Sequence, residues 1–219
     1  MVASTVIREL SRCLQGRFEQ GLRAAGEDAG VGDTDAGESP RRISVYLVHP
    51  RDLEGVSELP VASLYLWDVA PEPRLRSRGS TVESSVDTKG QSDTLRRAPA
   101  WVVCRYALAI RGRRLEDEHV LVAAGIRELH DRSTVSVADL PSLLHEPTLE
   151  KGSRFPITVD ARPELWRTLG LDRHRLMIGL EVPVPIPLTR REAALRVLER
   201  RLDITVDLQE NIPQEGSEV

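Results

Sequence analysis

Few side chains in this sequence stand at spacings that support chemistry. Glu116 and His119 lie three residues apart, on one face of a helix, where a carboxylate and an imidazole can work as an acid/base pair. The run Glu116, Asp117, Glu118 also has a simpler reading, because three carboxylates in a first turn suit the positive end of the helix dipole. Arg105 sits inside an otherwise apolar strand and requires a carboxylate or a polar opening at a subunit boundary; Asp68 on a neighbouring strand is the candidate. The five histidines (His49, His119, His130, His145, His174) are scattered without helical pairing to other ligands, so no metal site is expected. Ser133 and Ser153 lack the strand–turn–helix setting of a nucleophile elbow. The glycines near residue 30 follow a helix, not a strand, and make no phosphate- or dinucleotide-binding loop. No cofactor is implied. One catalytic or small-ligand reading survives, in which Glu116, His119 and Arg105 of a cytoplasmic protein line a single cleft.

The elements that would position such residues are organised around 101–131. Trp101 to Ile110 is apolar on both alternating faces except at Arg105, the pattern of a strand deep inside a sheet. Gly112 marks a turn, and a helix follows with Val122, Ile126 and Leu129 expected on its buried face and His130 and Arg132 at its negative end. A buried strand feeding an amphipathic helix makes the core of an α/β or α+β layer. Residues 2–25 predict another helix, with Val6, Leu10, Leu14, Phe18, Leu22 and Ala25 at helical spacing, ended by the Gly- and Asp-rich loop GEDAGVGDTDAGESP. RISVYLVHP (Arg42–Pro50) and the stretch Val61–Val69 read as strands. A turn, a connector and a short strand near Ile157 follow the central helix, and PELWRTL (Pro163–Leu169) is a short helix packed by Trp166 and stopped at Gly170.

Over His174–Pro187, Leu176, Ile178, Leu180, Val182, Val184 and Ile186 alternate, while Pro183, Pro185 and Pro187 share the other parity. Alternate backbone N–H groups point to the same side of a strand, so these prolines strip one side of donors and predict a sheet edge. Two segments find no place in this core. Residues 71–100 show almost no apolar periodicity and read as a long loop, either solvated or ordered against a partner subunit. Residues 189–219 read as a C-terminal arm: a helix opened by a Thr189–Glu192 capping box, a short strand at Ile204–Leu208, and a disordered acidic tail.

Length and composition bound the rest. The chain has 219 residues, 40% hydrophobic and 29% charged, with a formal net charge of -4, which fits one soluble domain with an appended arm. That charge gives no general attraction to nucleic acid or acidic membranes, and the arginine-rich loop lacks the interleaved aromatics of a nucleic-acid groove. Cys13 and Cys104 are too few for a disulfide framework and are expected as small core residues. No apolar run approaches the ~18 residues of a membrane span, and the charged, amphipathic start is unlike a signal peptide. Cytoplasmic synthesis and assembly are expected.

The order of the pieces is more specific than any one of them. VIRELSRCL, SLYLWDVAPEPRLR, WVVCRYALAI followed by EDEHVLVAAGIRELHD, PITVDARPELWRTLG and HRLMIGLEVPVPIPL succeed one another across Thr5–Leu188. This arrangement resembles the cap, or tail-terminator, family of extracellular contractile injection systems, which are phage-tail-like particles. The resemblance implies an α+β (mixed α/β) fold, with a central mixed, largely antiparallel sheet flanked by helices over 1–188 and the arm at 189–219. It implies a non-enzymatic subunit without cofactor that forms a homo-oligomeric, hexameric ring at the particle end distal to the baseplate. There the ring would terminate the inner tube and sheath of a particle assembled in the cytoplasm and released outside the cell. No catalytic residue carries over. On this reading the subunit, tube or sheath contacts fall in the two outlying segments, at Arg74, Arg76, Arg78, Arg96, Arg97, Arg190, Arg191, Leu195, Leu198, Ile204, Val206 and Leu208. A monomeric adaptor that binds one partner through its edge strand is a further reading.

Overall fold

The computed structural model describes residues 2–28, 43–72, 80–87, 90–144, 146, 149–150, 152–160, 162, 164–171, 175–187 and 191–193. In chain order these give helix α1 (Val2–Asp28), strands β1 (Ser44–Tyr46), β2 (Val61–Pro71), β3 (Ser80–Asp87), β4 (Gly90–Arg97) and β5 (Ala100–Arg111), and helix α2 (Leu115–Asp131). Strands β6 (Thr134–Ser136), β7 (Arg154–Pro156) and β8 (Thr158–Asp160), helix α3 (Leu165–Thr168), and strands β9 (Met177–Ile186) and β10 (Arg191–Ala193) follow. Apolar on both faces apart from Arg105 and the terminal Arg111, β5 needs neighbours on both edges, and it takes the middle of a five-stranded sheet of order β1-β2-β5-β9-β8. β1 runs parallel to β2 and all other pairs are antiparallel, so the sheet is mixed and largely antiparallel, as expected.

One face of the sheet carries the main core. Cys104, Tyr106, Leu108 and Ile110 of β5 meet Leu180, Val182 and Val184 of β9 there, beneath α1 and α2. The α1 stripe Val6, Leu10, Leu14, Phe18 and Leu22 is completely buried, each side chain worth about 1.5–3 kcal/mol. Polar atoms on the flanks of α1 fix its position: Gln15 Nε2 donates to the Val45 carbonyl at 2.6 Å, and the Glu9 carboxylate accepts from the Ser142 hydroxyl at 2.6 Å and from its N–H at 3.0 Å. On the opposite face, Leu165, Leu169 and Leu171 around α3 cover Ala107, with Trp166 packed beside them. Gly170 ends this helix with φ +63°, a left-handed stop that glycine makes freely. Pro163, expected in its first turn, lies outside the described residues.

Several expectations need correction. In α2 the buried side chains are Leu121, Ala124, Gly125 and Leu129, whereas Ile126, assigned to the buried face, is 53% exposed. The small residues decide the rotation. A Cβ on Gly125 would come within 3.0 Å of Ile178 Cδ1, so α2 lies against the sheet where it has least bulk. The first expected strand is cut to three residues, because Pro50 opens a 3-10 turn that tucks Leu53 into the interior. Residues 71–100 are not one loop. They contain the antiparallel hairpin β3–β4, paired from Ser80↔Arg97 to Asp87↔Gly90, with β10 added along Arg96–Thr94 to give a separate three-stranded sheet. Its strands carry only Val82, Val86 and Leu95 as large apolar residues, too few to leave a hydrophobic periodicity. The helix expected from Thr189–Glu192 is likewise a strand over Arg191–Ala193; the remainder of the arm lies outside the described residues.

Candidate functional site

The polar feature of the sheet is a row of charge on the face away from α1 and α2. Asp68 on β2, Arg105 on β5 and Glu181 on β9 occupy mutually opposite register positions. Arg105 donates from Nη1 to Asp68 Oδ2 at 2.5 Å and from Nε to Glu181 Oε1 at 2.7 Å. The carboxylate required by Arg105 is therefore Asp68, with a second that the sequence reading missed. Irregular pairing between Leu66 and Asp68 places an extra residue, Trp67, in β2, and such a bulge turns two consecutive side chains to one side. The Arg162 guanidinium lies 4.6 Å above the Trp67 ring, a cation–π contact. Arg162 also grips Asp160 through Nε at 2.8 and 2.9 Å, and its Nη2 is 3.7 Å from Glu181. Four strands are thus tied by alternating charge across one face.

Electrostatics follow from these contacts. The hydrogen bonds that Arg105 donates to Glu181 and to Asp68 push its guanidinium up. The Arg162 side chain holds the Asp160 carboxyl below the usual carboxylate range, against the opposing effect of burial. A carboxylate whose folded value is depressed stabilises the fold above its unfolded value, and that stability disappears as pH falls through the folded value. Asp160→Asn is accordingly expected to cost about 1–2 kcal/mol at pH 7. The gap to wild type should begin to narrow below about pH 4, where an unfolded aspartate takes up its proton, and close as pH falls through the depressed folded value; parallel thermal melts at pH 7 and at descending pH below 4 measure it.

The arrangement orients and neutralises charge but offers no nucleophile or free base. Glu116 and His119 are exposed on α2, which packs on the Leu108 side of β5, while Arg105 has the opposite parity in that strand. The structure therefore does not bring the three together. Asp117 and Glu118 are occupied by the helix start, accepting from the N–H groups of Arg114 and Gly112 at 3.1 Å each. Among the described residues no cluster of three or more His, Cys, Asp or Glu could hold a metal ion, and no helix is long and apolar enough to cross a membrane. Cys104 is fully buried and its thiol is pushed up to about 12 by that burial, while Cys13 is half-buried.

Of the expected contact residues, Arg96 and Arg97 fall in β4 and Arg191 in β10, and Arg191 stands directly opposite Arg96 in register. Arg74, Arg76, Arg78, Arg190, Leu195, Leu198, Ile204, Val206 and Leu208 lie outside the described residues. The predicted edge exists: β9 pairs with β5 along its whole length but with β8 only at Gly179–Glu181. Val182–Ile186, with Pro183 and Pro185, has no second strand partner among the described residues.

The model of the Pvc16 N-terminal domain family matches residues 4–199. The chain belongs to that family. This membership agrees with the resemblance to terminators of contractile injection systems carried by the order of the sequence motifs. Among solved structures, the chain is similar to the sheath/tube terminator of an extracellular contractile injection system, PVC, in its extended state, with 16% identity and a TM-score of 0.46 over 88% of this chain and 64% of that one. It is also similar to the tube-terminating cap of the anti-feeding prophage, with 16% identity and a TM-score of 0.48 over 84% and 58%. This chain thus spans less than two thirds of the length of either. Comparison with curated proteins gives no match.

Proposed function

We infer that this protein is a structural, non-catalytic subunit that caps a contractile injection particle, forming a ring at the distal end where inner tube and sheath stop. The observation that carries this reading is the Pvc16 N-terminal domain match across 4–199, which takes in both the core and the outlying ribbon. Two features of the fold support it. A ring needs a head-to-tail interface that closes on itself, and the β10-β4-β3 sheet is separate from the five-stranded sheet that holds the core. The proline-bearing half of β9 resists a further strand on its open side, which keeps the core of one copy from pairing indiscriminately with another. The partners on this reading are other copies of the chain, six to a ring, together with tube and sheath subunits; assembly takes place in the cytoplasm before the particle leaves the cell. The test is the length distribution of particles made with and without the protein, viewed by negative-stain microscopy. Uniform particles with a sixfold ring at one end are expected when it is present, and overlong or ragged tubes when it is missing. Unchanged particles in its absence would rule the capping role out.

A further inference from the structure

Seven large apolar side chains are exposed among the described residues, and five of them gather at the two opposite edges of the five-stranded sheet. Edge strand β1 presents Tyr46, and Leu47 follows it directly. At the far edge, Val159 of β8 is 57% exposed and stands opposite Leu180, which belongs to the core beneath α1 and α2. Opposed residues share a face, so Val159 is on the helix-covered side. Helix α2 adds to this edge. A Cβ at its Gly125 would meet Leu108 of β5 and Ile178 of β9, which places α2 over those strands, while α1 holds the β1 side through Gln15 and the Val45 carbonyl. Glu128 of α2 lies against Gly21 of α1. Residues two apart on a helix are about 200° round its axis, so Ile126 looks away from α1 and toward the β8 edge. Leu115 falls on the same flank and is 63% exposed, with half-buried Val122 between them. The far edge carries an apolar strip.

Both edge strands are three residues long, too short to recruit a foreign strand, so a partner meets these edges through side chains. A second copy supplies the match, because each copy owns both surfaces. We propose that neighbouring copies meet edge to edge: Tyr46 and Leu47 of one pack against Val159 and the Leu115–Ile126 flank of α2 on the next. The proposal rests on the ring reading above and names one of its subunit contacts. Two different surfaces at opposite edges make the contact head-to-tail, the geometry that can close. The five side chains expose on the order of 450 Å² of apolar surface, at about 150–250 Å² for a large side chain. An interface is about 57% apolar, so they account for a contact on the order of 800 Å², short of the ~1,200 Å² at which stable pairs begin. A second contact outside the five-stranded sheet must therefore complete the joint.

The experiment uses full-length variants, with mass read by light scattering after size exclusion. One carries Tyr46→Glu and Leu47→Glu, a second Leu115→Glu and Ile126→Glu, and a control carries Leu144→Glu, an exposed apolar residue in the turn beside Glu9 of α1. Each edge variant should raise the subunit dissociation constant at least about a hundredfold, and so run as a monomer where wild type and control run as rings. The pairing is read separately by mixing Leu47→Cys protein with Ile126→Cys protein and adding a short bismaleimide. Linked dimers holding one chain of each kind are expected, and none from either protein alone. Either edge variant forming rings as wild type does, a control that loses them equally, or the absence of mixed dimers overturns the proposal. Should an edge variant not fold, the cross-link decides, since its single substitutions leave the rest of both surfaces in place. Wild-type rings that survive both edge variants would leave the ring reading standing without this contact. Wild type that stays monomeric at every concentration removes both.

Discussion

Tyr106→Ala is expected to lower folding stability by about 3–5 kcal/mol, a fall in melting temperature on the order of 10 °C for a chain of this size. Tyr106 lies at the centre of β5, opposite Leu66 on one side and Leu180 on the other, and is the largest fully buried side chain. Its ring fills the space beneath α1, and its hydroxyl is 2.9 Å from the Ser11 hydroxyl, which in turn donates to the Ile7 carbonyl at 2.9 Å. Truncation therefore opens a cavity where the sheet meets its main helix, and the close packing around it leaves little room to relax. Tyr106→Phe separates the contributions. It keeps the ring, and Ser11 keeps its bond to Ile7, so the cost should be about 1 kcal/mol. If urea titration gave the two variants similar losses, the hydroxyl pair and not the packing would hold α1 to the sheet.

What could be read from the residues, and what could not, follows from which interactions leave a periodic trace. The α1 stripe and the β9 alternation were legible because burial repeats every 3.6 or every two residues, and Val6 to Leu22 and Ile178 to Ile186 are buried as that repeat requires. The proline parity of β9 announced its open edge for a steric reason that needs no neighbour. Ile126 misled because hydrophobicity ranks large residues first, whereas α2 was seated by Ala124 and Gly125, which permit the closest approach. The ribbon was missed because STVESSVD and GQSDTLRR carry only Val82, Val86 and Leu95 among polar residues, too few for a periodic signal; Gly90 beside the connection was the one local signal. In the charge row, Arg105 and Asp68 were found by asking what a buried cation needs. Glu181 was available by the same logic, as the one charge among the apolar and proline residues of β9. Trp67, Asp160 and Arg162 were not, since they meet only through a bulge and a β8 connection that sequence spacing does not encode.

Ending the chain at Leu188 should separate folding from assembly completely. Arg191–Ala193 pairs with β4 and with no strand of the five-stranded sheet, so its loss removes nothing from the Tyr106 core. The hairpin β3–β4 loses its third strand and becomes a two-stranded ribbon, which is marginal in water. The melting temperature should therefore stay within about 4 °C of wild type, the change expected for about 1 kcal/mol at this size. Assembly should respond in the opposite sense. Without β10 the ribbon has lost its third strand, and we expect the shortened chain to stay monomeric by light scattering and to leave particles uncapped. A shortened chain that melts far below wild type would mean that residues 189–219 contribute to the core, and the division into a 1–188 domain and an arm would fail. One that still forms rings and sets normal particle length would place the subunit contact on the five-stranded sheet, where the open half of β9 and the Asp68–Arg105–Glu181 row are the surfaces left to supply it.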